Sequence, residues 1–286
     1  MKYLRFIKIE HTLFSLPIVF AGVLLSLRLP PQMPWPLSLS WWKIFWIVCA
    51  TAGARAAGFG FNRILDAKFD ARNPRTAQRE IPAGILSIQE AWSFTAACCA
   101  LYFASAALIS PLCFYFSPLP ILMFYIYPYL KRFTCWTHLG LGLAWGSAPL
   151  GAWLAARAQW SGPFLPALLL ASFCVFWVAG FDILYSLLDE EFDRKMGLYS
   201  MPAHLGKTDA LRLSEVFHAA ALLFLAYLVA RYFPNARAYG LLGLIGFLLL
   251  LGHCKIKAPV LTPAIVDFAF FKVNAAIGFL VFFLFL

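Results

Sequence analysis

This 286-residue chain predicts an all-α, polytopic membrane fold. Three observations carry that expectation. Hydrophobic residues make up 62% and charged residues 13%, whereas a soluble domain holds about 45–50% apolar and about 25% charged residues. Mean hydropathy is +0.77. The charges are bunched, leaving uncharged windows of roughly 20 residues, the length at which a helix crosses the hydrocarbon core. A soluble domain, a disordered chain and a disulfide-stapled secreted module are thereby excluded.

The windows place nine transmembrane helices, near 11–28, 42–62, 88–109, 112–130, 137–156, 163–188, 210–231, 238–254 and 264–286. The first follows Lys2, Arg5 and Lys8 and imitates a signal peptide. Leu27-Arg28-Leu29-Pro30-Pro31 offers no small-residue cleavage site, so it reads as a retained span. The uncharged stretch 91–130 is too long for one span, and Ser110-Pro111 divides it because proline cannot continue a helix ladder. No linker or low-complexity run separates parts of the chain, which reads as a single domain over 1–286.

Orientation follows from Lys and Arg. Most of the 23 fall at 2–8, 63–79, 131–132, 194–212 and 255–257, all on the N-terminal side of the nine spans. The opposite side holds only Arg28, Lys43, Arg157, Arg231 and Arg237. Positive-inside asymmetry puts the N-terminus and the even-numbered loops in the cytoplasm, in a bacterial inner membrane. The net charge of +10 reads as this bias plus an anionic ligand, not as nucleic-acid binding. The seven cysteines form no Cys-x-x-Cys or Cys/His spacing and read as small buried hydrophobes. His11, His138, His204, His218 and His253 have no ligand partner one helical turn away, and read as hydrogen-bonded helix or interface residues.

The chemistry concentrates in two acidic segments on one membrane side. Asn62, Asp66 and Asp70 are spaced i, i+4, i+8, and Asp182, Asp189 and Asp193 i, i+7, i+11, with Tyr185 beside them. On helices each set forms a one-face row of oxygens. Ionisable groups at a membrane boundary are costly unless solvated, paired or metal-bound. Two such rows suit hard cations, and Mg²⁺ takes one or two carboxylates while sharing its shell with water and substrate phosphates. Flanking Lys68, Arg72, Lys131 and their basic neighbours suit the oxygens of a diphosphate.

At these residues the chain resembles the UbiA superfamily of intramembrane prenyltransferases. The first motif is Asn62, Asp66 and Asp70, continuing to Asn73-Pro74-Arg75-Thr76; the second is Asp182, Tyr185, Asp189 and Asp193, continuing through Gly197-Leu198-Tyr199-Ser200. Tyr127-Pro128-Tyr129-Leu130-Lys131-Arg132 and Lys272-Val273-Asn274 agree. The resemblance implies nine helices around a central cavity open to the bilayer, and an allylic polyprenyl diphosphate donor held by Mg²⁺. It is strongest toward the branch that prenylates 4-hydroxybenzoate for ubiquinone. Phe181-Asp182-Ile183-Leu184-Tyr185 leans toward a relative that prenylates a dihydroxynaphthoate for menaquinone.

The implied roles are specific. Asn62, Asp66 and Asp70 hold one Mg²⁺, and Asp189 and Asp193 the other, making these four aspartates the catalytic set. Lys68, Arg72 and Lys131 clamp the phosphates. Asp182 and Tyr185 contact substrate, and Asp189 helps deprotonate the acceptor. Arg55, two turns before Asn62, has two readings: a partner for the acceptor's carboxylate, or a bridge to Asp267. The expected partners are the two substrates and membrane lipid, with no obligate protein partner. The rival class is a secondary transporter, which usually places its polar groups near the midplane.

Overall fold

The structure is a computed structural model that describes residues 2–8, 12–29, 39–158, 163–257, 262, 264–265 and 268–286. Every regular element among them is helical. In chain order they are α1 (Lys2–Phe6), α2 (Thr12–Arg28), α3 (Trp41–Leu65), α4 (Ala67–Asp70), α5 (Ile88–Ile109), α6 (Pro111–Phe116) and α7 (Pro118–Leu130). After these come α8 (Thr137–Arg157), α9 (Leu165–Ser186), α10 (Glu190–Met196), α11 (Met201–Leu205), α12 (Lys207–Tyr232), α13 (Ala236–Ile256) and α14 (Val273–Phe285). Seven stretches are long and apolar enough to cross a membrane, α6 and α7 counting together and α9 continuing through α10; two shorter apolar helices are Ser15–Arg28 and Val273–Phe285.

Local chemistry explains the boundaries. Ser87 caps α5 in a reciprocal capping box with Glu90. Ser110 ends that helix, caps α6 by accepting from Cys113 N at 3.1 Å, and precedes Pro111 at N1. The expected helix over 112–130 is interrupted at Ser117, where Pro118 opens α7. The last expected span, 264–286, begins with a wide π-helical turn over Phe268–Lys272 before α14. The short α1 was not expected; it buries Phe6 and pins Lys2 to Glu90 at 2.6 Å.

Helix α9 is the hub, apolar on all sides as a buried helix must be. Ile18, Leu25, Trp153, Leu170, Phe173, Leu225 and Ile277 form the main core around it, drawn from α2, α8, α9, α12 and α14. Water drives little helix association inside a bilayer, so close backbone approach matters. Gly142 and Gly146 of α8 supply it: an added Cβ would sit 2.3 Å from Val175 O and 3.0 Å from Ala171 O of α9.

Candidate active site

Both acidic segments sit where a membrane helix breaks. Helix α3 ends at Leu65, Asp66 takes φ −93° and ψ 0°, and α4 carries the chain to Asp70. Helix α9 tightens into a 3₁₀ turn over Leu187–Asp189 before α10, which Gly197 ends at φ +68°. A left-handed residue there suits glycine, which has no Cβ to clash. Each motif is therefore bent, not one straight helical row. The bends turn both toward the same space, joined by the end of α7 and the start of α8.

That space is a polar cavity of about 310 Å³. Arg55, Asn62, Asp66, Asp70, Lys131, Asp182, Tyr185, Asp189 and Asp193 all line it. Lys68 and Arg72 do not; both are exposed. Their places are taken by Arg75 and Arg79, which the return of the 71–87 segment brings into the lining. Asp267, the alternative partner of Arg55, lies outside the described residues. Arg55 itself is buried and stacks on Phe59, its guanidinium 4.6 Å from the ring centre.

Three of the carboxylates are each paired with a cation. Lys131 Nζ donates to Asp66 Oδ2 at 2.6 Å, and Asn62 Nδ2 donates to the same oxygen at 3.3 Å. Arg79 Nη1 donates to both oxygens of Asp70 at 2.8 Å. Asp189 accepts from Asn73 Nδ2 at 2.8 Å and from Arg75 through Nε at 2.9 Å and through Nη2. Arg75 Nη1 also reaches the Tyr185 hydroxyl at 2.8 Å. Burial disfavours the Arg75 charge, but its bonds to Asp189 and Tyr185 outweigh this and hold its pKa above the usual value. Asp193 faces Ser200 and the Lys131 charge.

Several supports were not legible in the sequence. His138 Nδ1 lies 2.7 Å from Asp182 Oδ2 and its Nε2 accepts from Met201 N at 3.2 Å. Arg132 donates to Leu65 O at 2.8 Å and stacks on Phe69, tying α7 to the first motif. Tyr199 N donates to Lys131 O at 2.7 Å, tying the segment after the second motif to the same lysine.

The residues suit a hard divalent cation. Asn62, Asp66, Asp70, Asp189 and Asp193 offer oxygen atoms to a cation, and Asp66 Oδ1 is buried without a hydrogen-bond partner among the described residues. No three acidic, cysteine or histidine side chains converge on one point among those residues. Burial pushes the Asp66 carboxyl above the usual carboxylate range, against the pull of Lys131.

A second cavity, of about 350 Å³, is almost wholly apolar. It meets the first at Arg55, Phe59, Tyr127, Leu141 and Trp145, which line both. It follows α8 from Leu141 to Ala155, about 20 Å at the helical rise of about 1.5 Å per residue.

A helical membrane bundle with paired aspartate segments in a polar chamber, next to an apolar one, defines an integral multi-pass membrane protein. Residues 15–275 match the UbiA prenyltransferase family, and the chain belongs to that family. The apo structure of a UbiA homolog from Aeropyrum pernix K1 is 35% identical, superposes with a TM-score of 0.83 and covers 95% of each chain. A UbiA homolog from Archaeoglobus fulgidus bound to GPP and Mg²⁺ shares the fold, with a TM-score of 0.75 at 21% identity over 100% of this chain and 99% of that one. The 4-hydroxybenzoate octaprenyltransferase of Shewanella denitrificans is 29% identical over 206 residues, 68% of this chain and 64% of the relative. The chain thus spans a little under two thirds of that relative's length.

Proposed function

We propose that the protein transfers a polyprenyl group from an allylic polyprenyl diphosphate to a ring carbon of a hydroxylated aromatic acid. The observation that carries this is the shared neck between the acidic, cation-rich chamber and the apolar one. A prenyl diphosphate has that polarity along its length: head in the first chamber, tail in the second, reacting carbon at the neck. The family's name and the 4-hydroxybenzoate relatives support the reading.

Asn62, Asp66 and Asp70 would hold one Mg²⁺, and Asp189 and Asp193 the other. Bound there, the ions would neutralise the diphosphate and stabilise it as a leaving group. Arg75, Arg79 and Lys131 now bond to the same carboxylates; on substrate binding they turn to phosphate oxygens, for which guanidinium forks are well shaped. The allylic carbon becomes cationic at the neck, where Tyr127 and Trp145 line the wall; an aromatic face turned to the cation is worth on the order of 0.5–2 kcal/mol, and the apolar wall keeps water away. Arg55, at the same neck, pairs with the carboxylate of the acceptor. Topologically, the acidic chamber opens to the cytoplasm and the chain acts as one domain in a bacterial inner membrane, in quinone biosynthesis.

The test uses the purified protein in nanodiscs with a labelled polyprenyl diphosphate, Mg²⁺ and either 4-hydroxybenzoate or a dihydroxynaphthoate. Chelator-sensitive formation of a prenylated acid supports the reading, and the preferred acid identifies the branch. Vectorial uptake of an anion without donor turnover identifies a carrier instead.

A further inference from the structure

We infer that His138 is a positioning residue that aims Asp182 as the proton acceptor of the transfer step; this rests on the transferase reading. Three observations converge on it. First, Asp182 lines the polar cavity, yet among the described residues it has no lysine or arginine ion-pair partner; its partner is His138. Asp66, Asp70 and Asp189 are each held by a cation. Those three are charge-compensated and Asp193 is assigned to metal, which leaves Asp182 facing an imidazole.

Second, the imidazole is locked. His138 is 2% exposed, and its Nε2 accepts the backbone N–H of Met201. The ring proton therefore sits on Nδ1 and is donated to Asp182 Oδ2 at 2.7 Å. Met201 is held in turn at the start of α11, where Ser200 caps the helix by accepting from Ala203 N. The segment after the second motif thus fixes the ring, and the ring fixes the carboxylate.

Third, Asp182 lies on the membrane-spanning helix α9, before the 3₁₀ turn that carries Asp189, and its partner His138 stands one turn before Leu141 of the neck on α8. Trp177 and Phe181, one turn apart on α9, line the same cavity.

The step balances as follows. The ring's π pair forms the new C–C bond at the allylic carbon. The C–O bond to diphosphate breaks and its pair leaves with the diphosphate. The ring C–H bond then breaks, its pair restores aromaticity, and the proton passes to Asp182 and later to solvent. His138 keeps its own proton throughout.

The test is steady-state transfer in nanodiscs with the acceptor carrying hydrogen or deuterium at the prenylated carbon, in wild type, D182N, H138A and H138Q. The expected wild type shows almost no isotope effect, donor ionisation being the slow step. D182N loses about 100-fold in kcat and H138A about 10-fold, with donor KM within about 2-fold. Both variants acquire a primary isotope effect, since proton loss now limits the rate. H138Q, whose amide can donate to Asp182, recovers most of the rate. Absence of the isotope effect in D182N and H138A, or a donor KM rising in step with the loss of kcat, overturns the inference. D182N and H138Q keep the test decisive if H138A does not fold. A wild type that transfers no prenyl group to any hydroxylated aromatic acid overturns the transferase reading together with this inference. An active wild type whose variants show no isotope effect overturns this inference alone.

Discussion

Arg75 grips Asp189 across 114 positions of chain, its Nε 2.9 Å from Oδ1 and its Nη2 on Oδ2. The segment that follows the first acidic motif thereby closes over the second. An arginine so placed can exchange a carboxylate for a phosphate with little movement.

Arg75→Ala and Arg79→Ala should therefore each raise the KM for prenyl diphosphate about 10- to 100-fold, the worth of one charge-assisted contact of about 1.5–3 kcal/mol. Lys68→Ala and Arg72→Ala should stay within about 2-fold of wild type, because both side chains lie outside the cavity. Donor titrations at saturating acceptor check this. Equal losses in all four would return the phosphate clamp to the helix face that holds Lys68.

Removal of divalent metal should abolish turnover, and Asp66→Asn should raise the Mg²⁺ requirement most. Burial raises the Asp66 carboxyl above its ordinary range, with Lys131 opposing. A raised pKa means the proton competes with the metal at a higher pH than it would at an exposed aspartate. The apparent Mg²⁺ affinity should accordingly weaken as pH falls from neutral into the mildly acidic range. In Asp66→Asn that dependence should flatten, as Mg²⁺ titrations at several pH values would reveal.

The α8–α9 seam admits no side chain. Gly142→Ala would put a Cβ 2.3 Å from the Val175 carbonyl oxygen, an overpacking that costs about 1–3 kcal/mol. Gly240 and Gly243 on α13 meet no described atom within 4 Å. Alanine at those two sites should be neutral or mildly stabilising, since glycine in a helix costs about 1 kcal/mol relative to alanine. Thermal unfolding in detergent separates the two groups.

Gly151 lines the apolar chamber, and a Cβ added there meets no described atom within 4 Å. The missing side chain is open volume. Gly151→Leu should leave folding intact and lower kcat/KM for long-chain donors several-fold more than for geranyl diphosphate. A panel of donors of increasing length measures this, and a uniform loss across the panel would show that the tail passes elsewhere.

The span 88–109 matches α5 because a capping serine and a Ser-Pro pair mark its ends in one dimension. The seven motif residues from Asn62 to Asp193 share one cavity, although each motif is bent where its helix breaks. Lys68 and Arg72 stand out in the sequence as bases flanking the first acidic row, but the helix breaks at Asp66 and ends at Asp70, and both side chains lie outside the cavity. Arg75 and Arg79 act from a non-helical return that carries no period. His138 finds Asp182 at a separation of 44 residues, a pairing that only the packing of α8 on α9 creates.

The constriction ringed by Arg55, Phe59, Tyr127, Leu141 and Trp145 also has a bearing on traffic. On the proposed reaction, a product that has shed its diphosphate is held on the charged side by Arg55 alone, through its carboxylate, and rests its tail on apolar wall. Release of the product then turns on one guanidinium contact, while the diphosphate must be let go by the cations of the other chamber.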